Sequence, residues 1–319
     1  MSPTNAIPPV SPYGTFTGNL FQYKSFPSLV AFESSPPNNA SASPHKCILI
    51  GGLSDGLIPT PYTKQLESAC HELGWSLVQP LISSSGIGFG NGSLKRDTEE
   101  ISDLMTYLIH HSFAETFAFV GHSTGCQNAV HFMKYGEKTL MEKVKVIALQ
   151  ASVSDREGVM TGPNYETDIA HAKKLQDMGQ EEEMMPRSAF WAPITASRFL
   201  ALQDIGGEDD FFSSDFSDEE LGLRLRHMGQ RGDQNGMKTL VSYSGEDEYV
   251  PATVDKKLLL ERLCAAMRSQ TSPDVECHSN QDSVVSLFIE TGNHNLSNDD
   301  GDKEVFVAAV KELLEGALN

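Results

Sequence analysis

Phe117-Ala118-Phe119-Val120-Gly121-His122-Ser123-Thr124-Gly125 decides how this chain is read: four apolar residues run through Gly-x-Ser-x-Gly into a segment of helical spacing, residues 126–135. A strand that turns sharply into a helix forces the residue at the turn into a strained backbone conformation. Small residues two before and two after it let the chain pass without clash. A serine at such a turn is presented at the end of a sheet, where a nucleophile belongs. The strand–turn–helix context therefore carries more weight than the five-residue pattern, which also occurs as a plain glycine-rich turn.

Outward from that stretch the same rhythm recurs. Short apolar runs at residues 47–50, 76–81, 116–120, 144–150, 239–243 and 284–289 read as buried strands. Segments with helical spacing fall near residues 60–73, 94–110, 126–135, 252–268 and 303–314. Strands buried on both faces and separated by helices form a parallel sheet covered on both sides. A short hairpin is expected from residues 19–24 and 28–32, giving a mostly parallel sheet of about eight strands in all. The fold class is thus α/β, specifically the α/β-hydrolase fold. Residues 1–17, with several prolines, are expected to be an arm, 18–151 and 237–319 the core, and 152–236 a lid or cap inserted over the sheet. Residues 34–44 and 271–282 read as loops.

A serine hydroxyl is a weak nucleophile unless an imidazole takes its proton, and the imidazole needs a third group to fix its tautomer. In this fold the chain order is serine, acid, histidine. Asp247 lies in Ser244-Gly245-Glu246-Asp247-Glu248-Tyr249-Val250-Pro251, just past the apolar run at 239–243. Glu246 and Glu248 are its rivals. His294 lies in Glu290-Thr291-Gly292-Asn293-His294-Asn295-Leu296, again just past a strand. His122 adjoins the nucleophile in sequence, but its side chain is expected to splay away. Ser123, Asp247 and His294 are the expected catalytic residues. The oxyanion donors are expected to be the backbone N–H of Thr124, after the nucleophile, and of Leu53 in Ile50-Gly51-Gly52-Leu53, with Gly52 as the rival.

Other chemistries fit less well. No CxxC pair occurs among five scattered cysteines, which argues against zinc, redox work and a disulfide framework and suits a reducing cytosol. No metal or organic cofactor is expected. Gly86-Ile87-Gly88-Phe89-Gly90 is followed by Asn91 and so completes neither nucleotide fingerprint. No apolar run is long enough to span a membrane, and the opening residues have no secretory pattern. With 24 Lys and Arg against 43 Asp and Glu, the formal charge is −19, a field that repels nucleic acid and anionic lipid.

On these motifs the chain resembles a fungal and plant family of α/β-hydrolases whose best understood members are fungal fusarinine C siderophore esterases. The resemblance spans about residues 18–314. It rests on Gly51-Gly52-Leu53-Ser54-Asp55-Gly56-Leu57 with Pro61-Tyr62, on Gly92-Ser93-Leu94, and on Gly121-His122-Ser123-Thr124-Gly125. It continues in Pro193-Ile194-Thr195-Ala196-Ser197-Arg198 and Asp209-Asp210-Phe211-Phe212-Ser213-Ser214-Asp215, strings far more specific than the serine motif. It implies hydrolysis of an ester in a hydroxamate siderophore, in the cytosol, with Ser123, Asp247 and His294 at the family's triad positions. Gly52, Arg198, Asp210, Ser214 and Asp215 are candidates to line the substrate channel; the alternative is that the last four cap a lid helix and pair with one another. The acidic residues Glu208, Asp209, Asp210, Asp215, Asp218 and Glu219 are expected to attract a cationic ferri-siderophore, against the plainer role of solubility. Two alternatives keep the fold: an esterase or thioesterase for another small or lipid ester, told apart by a narrow apolar tunnel, and a binding protein without catalysis.

Overall fold

Period-two alternation inside the strands sets the layers of the molecule. The computed structural model describes residues 13–36, 43–268 and 283–318. Most of the expected arm, the middle of the 34–44 loop, and the whole 271–282 loop with Cys277 lie outside the described residues. Eight strands, β1 (Asn19–Lys24), β2 (Leu29–Ser34), β3 (His45–Ile50), β4 (Trp75–Pro80), β5 (Thr116–His122), β6 (Val144–Gln150), β7 (Lys238–Ser244) and β8 (Val284–Ile289), form one sheet in the order β1-β2-β4-β3-β5-β6-β7-β8. The hairpin β1–β2 pairs antiparallel, as does β2 with β4, and every other pairing is parallel.

Alternate residues of the central strands feed opposite cores, as the pleat demands. Ile48, Ile50, Phe117 and Phe119 point into one apolar layer, while Cys47, Leu49, Ala118 and Val120 point into the other. Helix α1 (Thr63–Glu72) covers the second layer with Leu66 and Cys70, joined by Phe306 and Val310 of the C-terminal helix Asp300–Gly316. Helices α2 (Leu94–Ser112) and α3 (Thr124–Tyr135), with the helix Lys256–Arg268, cover the first. Burying one Phe or Leu side chain in such a layer stabilises the fold by about 1.5–3 kcal/mol.

Helix ends differ from the sequence expectation for local reasons. The segment expected from residue 60 starts at Thr63, because Thr60 and Pro61 form a turn in which Thr63 N–H donates to the Thr60 carbonyl. That expected from residue 252 begins at Lys256, after a turn closed by Val254 N–H on the Pro251 carbonyl. The last helix starts earlier than expected because the Asp299 carboxylate accepts the Gly301 N–H as an N-cap.

Between β6 and β7 run α4's successors: after the short helix α4 (Lys138–Met141) and strand β6 come α5 (Tyr165–Asp177), α6 (Ala196–Gln203), α7 (Asp218–Leu225) and α8 (His227–Asn235). This stretch is not uniform. Tyr165, Ile169, Ile194 and Phe199 close a small separate core on Phe89, whereas Phe211, Phe212, Leu221, Leu225 and Met228 are continuous with the main core.

Candidate active site

Parallel strands all deliver their following loops to one end of the sheet, and the chain uses four of those loops. At the end of β5, Ser123 has φ 53° and ψ −124°, a region that non-glycine residues rarely occupy. Its neighbours make this possible. A Cβ at Gly121 would lie 2.5 Å from the Gly125 carbonyl oxygen, and one at Gly125 2.2 Å from that of Ile50. Ser123 N–H donates to the Gln150 carbonyl at 2.9 Å, which ties the turn to β6. Helix α3 starts at the next residue, two earlier than expected.

The loops after β7 and β8 bring the other two expected residues to Ser123. His294 Nε2 is 2.9 Å from Ser123 Oγ, and His294 Nδ1 is 2.9 and 3.0 Å from the two Asp247 carboxylate oxygens. Asp247 is 2 % and His294 8 % exposed, so the bond between them is shielded from competing water. The Asp247 loop is pinned by Lys256 Nζ, which donates to the carbonyls of Gly245 and Asp247 at 2.8 and 2.9 Å. The two rival acids do other work: Glu248 accepts the His294 backbone N–H at 2.9 Å, and Glu246 accepts from Asn298 at 3.3 Å.

His122 does not splay away from the site. Its ring lies 5.1 Å from that of His294 and lines the same cavity as Ser123. Gln150 explains the arrangement: its Nε2 donates to the His294 carbonyl at 2.8 Å, so its Oε1 accepts from His122 Nδ1 at 2.6 Å and from the Tyr62 hydroxyl at 3.3 Å. Burial, helped by the neighbouring His294, pushes the His122 imidazole down to about 3, so it stays neutral. Gln150 thus locks the histidine loop to the sheet. Nothing in the sequence singled it out beyond its position at a strand's end.

The glycine loop after β3 sits against the nucleophile. A Cβ on Gly52 would lie 2.8 Å from Ser123 Cβ, so no side chain fits there. Gly52 N–H donates to Asp55 Oδ2 at 2.7 Å and is therefore engaged. Burial raises the Asp55 carboxyl above its usual range, against the pull of the Gly52 bond. In the sequence Asp55 stands out only as part of the Gly51–Leu57 string; its acceptor role needs the turn closed by Asp55 N–H on the Gly52 carbonyl.

Ser123 and His294 open into a cavity of about 750 Å³, walled by Leu53, Asp155, Phe190, Trp191 and Tyr249. Of the substrate-lining candidates, Gly52 alone borders it. Arg198 is buried in a two-bond pair with Asp209 (2.5 and 2.9 Å) and faces a separate small crevice. Asp210 and Asp215 both grip Arg156, at 2.7 Å and 2.9 Å, and the Ser214 N–H donates to Glu157 at 3.0 Å. These four are joined into ion pairs and hydrogen bonds within the insertion, though their partners are mainly Asp209, Arg156 and Glu157 rather than one another. The expected acidic field is spent in the same way: Asp209, Asp210, Asp215 and Asp218 each have an arginine partner. Among the described residues no cluster of His, Cys, Asp and Glu could hold a metal ion, and no helix is long and apolar enough to cross a membrane.

A strained serine at a strand-to-helix turn, bonded to a histidine that is bonded to a buried aspartate, on a mostly parallel eight-stranded sheet, defines a hydrolase of the α/β-hydrolase fold. The chain belongs to the family described as "Protein of unknown function (DUF1749)", which matches residues 7–315. It is similar to fusarinine C esterase sidJ of Aspergillus fumigatus, 31% identical across 91% of this chain and 92% of that one. It is also similar to esterase AN6793 of Emericella nidulans, 32% identical across 80% and 82%. Among solved structures, the siderophore hydrolase EstB of A. fumigatus superposes with a TM-score of 0.75 at 29% identity, covering 97% of this chain and 99% of that one. With these relatives the chain is a carboxylic ester hydrolase.

Proposed function

We propose that this protein hydrolyses ester bonds of a hydroxamate siderophore of the fusarinine C type through an acyl-enzyme on Ser123, acting in the cytosol to release iron from the weakened chelator. One observation carries the mechanism: a single imidazole bridges Ser123 Oγ and the Asp247 carboxylate, both at 2.9 Å. Asp247 holds the proton on Nδ1, which leaves Nε2 free to take the Ser123 proton as Oγ attacks the ester carbonyl. The tetrahedral oxyanion is received by the backbone N–H groups of Leu53 and Thr124. The imidazolium then returns its proton to the leaving alcohol. In the second half, water attacks the acyl-Ser123 carbonyl with His294 again as base, and the carboxylic acid departs.

The siderophore assignment draws on the names of the relatives and on the cavity. A space of about 750 Å³ with acids and aromatic side chains in its wall suits a bulky hydrophilic ester better than an acyl chain, which needs a narrow apolar tunnel. The stretch 152–236 acts as a cap, its Phe190 and Trp191 forming part of the cavity wall. The test is a panel of siderophores and simple acyl esters incubated with the enzyme and read by mass spectrometry. Opening of the fusarinine-type ester ahead of the acyl esters is expected; turnover of acyl esters alone would refute the substrate.

A further inference from the structure

Hydrolysis of an acyl-enzyme needs something that its formation does not: a water molecule with one hydrogen on the base, the other satisfied elsewhere, and an oxygen lone pair aimed at the acyl carbon. His294 Nε2 takes the first hydrogen once Ser123 Oγ is acylated. The oxyanion side offers only N–H donors, so the second hydrogen calls for a further acceptor. His122 supplies one beside the base. The hydrogen bonds around Gln150 fix its tautomer. One end of the Gln150 amide faces the His294 carbonyl at 2.8 Å, and a carbonyl can only accept, so that end is the NH₂ group. Oε1 at the other end then accepts from the Tyr62 hydroxyl at 3.3 Å and from His122 Nδ1 at 2.6 Å, which puts the imidazole proton on Nδ1. Nε2 is left as a bare lone pair. Burial pushes the imidazole down to about 3, so Nε2 remains an acceptor at neutral and mildly acidic pH.

The position of the ring agrees with this role. Gln150 is fully buried and is not part of the cavity wall, so the Nδ1 edge of His122 points into the protein. His122 nonetheless lines the cavity with Ser123 and His294, which leaves the opposite edge, carrying Nε2, to face it. Nε2 has no hydrogen-bond partner among the described residues, and it is not one of the unpartnered atoms sealed from solvent. The His122 and His294 rings stand 5.1 Å apart. One water oxygen about 2.9 Å from each accepting nitrogen spans a gap of that size.

We propose that His122 Nε2 orients the hydrolytic water by accepting its second hydrogen while His294 Nε2 accepts the first. The proposal rests on the acyl-enzyme mechanism above and assigns His122 to its second half alone. The water oxygen bonds to the acyl carbon as His294 takes one proton; collapse of the tetrahedral species breaks the bond to Ser123 Oγ, which recovers that proton from His294. His122 exchanges no proton, and the hydrogen it holds stays on the product acid. Acylation does not use it, because the attacking Ser123 hydroxyl carries a single hydrogen.

The test sets methanol against water as the nucleophile that takes the acyl group, since methanol has one hydroxyl hydrogen and none left for His122. The substitution His122→Asn keeps an amide donor near the Nδ1 position for Gln150 and removes Nε2. With an activated aryl ester in methanol–water mixtures, the ratio of methyl ester to free acid should rise about 3- to 10-fold in His122→Asn, the size of one neutral hydrogen bond. The pre-steady-state burst of aryl alcohol, which reports acylation, should stay within about two-fold of wild type. An unchanged ratio, or a burst slowed as much as turnover, overturns the proposal, because a merely structural His122 would slow attack by both nucleophiles alike. His122→Gln reaches the Nε2 position with its own acceptor and should keep the wild-type ratio despite losing the Nδ1 bond; a raised ratio there overturns the proposal whether or not His122→Asn folds. Failure of the underlying mechanism looks different: hydrolysis by the wild type with neither a burst nor an acyl adduct on Ser123 by mass spectrometry would refute the acyl-enzyme itself.

Discussion

Replacing Asp55 by Ala removes the acceptor that holds the glycine loop against Ser123. The bond is 2.7 Å from the Gly52 N–H to a partly buried carboxylate, and Asp55 N–H returns to the Gly52 carbonyl at 3.0 Å, so the acid closes a tight ring at the base of the loop that presents Leu53. A hydrogen bond to a charged group is worth about 1.5–3 kcal/mol, equivalent to roughly 10- to 150-fold in rate if all of it appears in the transition state. Outright removal of an oxyanion donor costs about 10²–10³-fold, which sets the ceiling, because Asp55→Ala loosens the donor without deleting it. Asp55→Asn retains an acceptor and should lose less than about 10-fold by the same reasoning. The assay is steady-state hydrolysis of an activated aryl ester: kcat should fall in the order wild type, Asn, Ala, with KM little changed. An unchanged kcat in Asp55→Ala, or a loss carried wholly by KM, would refute a role through the oxyanion loop.

Three further outcomes are expected. Asp247→Asn should fold normally yet lose about 10⁴-fold in kcat, since an amide presents the wrong partner to His294 Nδ1; a loss under about 10-fold would contradict its orienting role. Gly125→Ala should abolish soluble folded protein or activity, because the new Cβ would stand 2.2 Å from the Ile50 carbonyl oxygen; near-normal activity would show that the turn can relax. Arg156→Met leaves Asp210 buried without its cation and should lower unfolding free energy in urea by about 3–5 kcal/mol, whereas a change under about 1 kcal/mol would mean the pair contributes little.

Much of the fold was legible because its determinants are local. Continuous apolar runs such as Thr116 to Val120 can be buried on both faces only in a parallel sheet, and glycines two before and after Ser123 announce the turn. The order of Ser123, Asp247 and His294 followed from loops at strand ends. What escaped were contacts made by residues distant in sequence. Gln150 and His122 meet His294 only once β5, β6 and the loop after β8 are side by side. The acids at 209, 210 and 215 were legible both as an attracting patch and as ion-pairing residues of the insertion, but which arginines hold them, Arg198 for Asp209 and Arg156 for Asp210 and Asp215, is decided only by folding.

The central claim is that His294 and Asp247 activate Ser123 as the nucleophile. A fluorophosphonate probe, followed by peptide mapping with mass spectrometry, tests it directly. Folded wild-type protein should carry one adduct on Ser123, with labelling lost on denaturation and in His294→Ala, and esterase activity lost in Ser123→Ala. Absence of label on Ser123 in folded protein, or esterase activity retained in Ser123→Ala, would contradict the account.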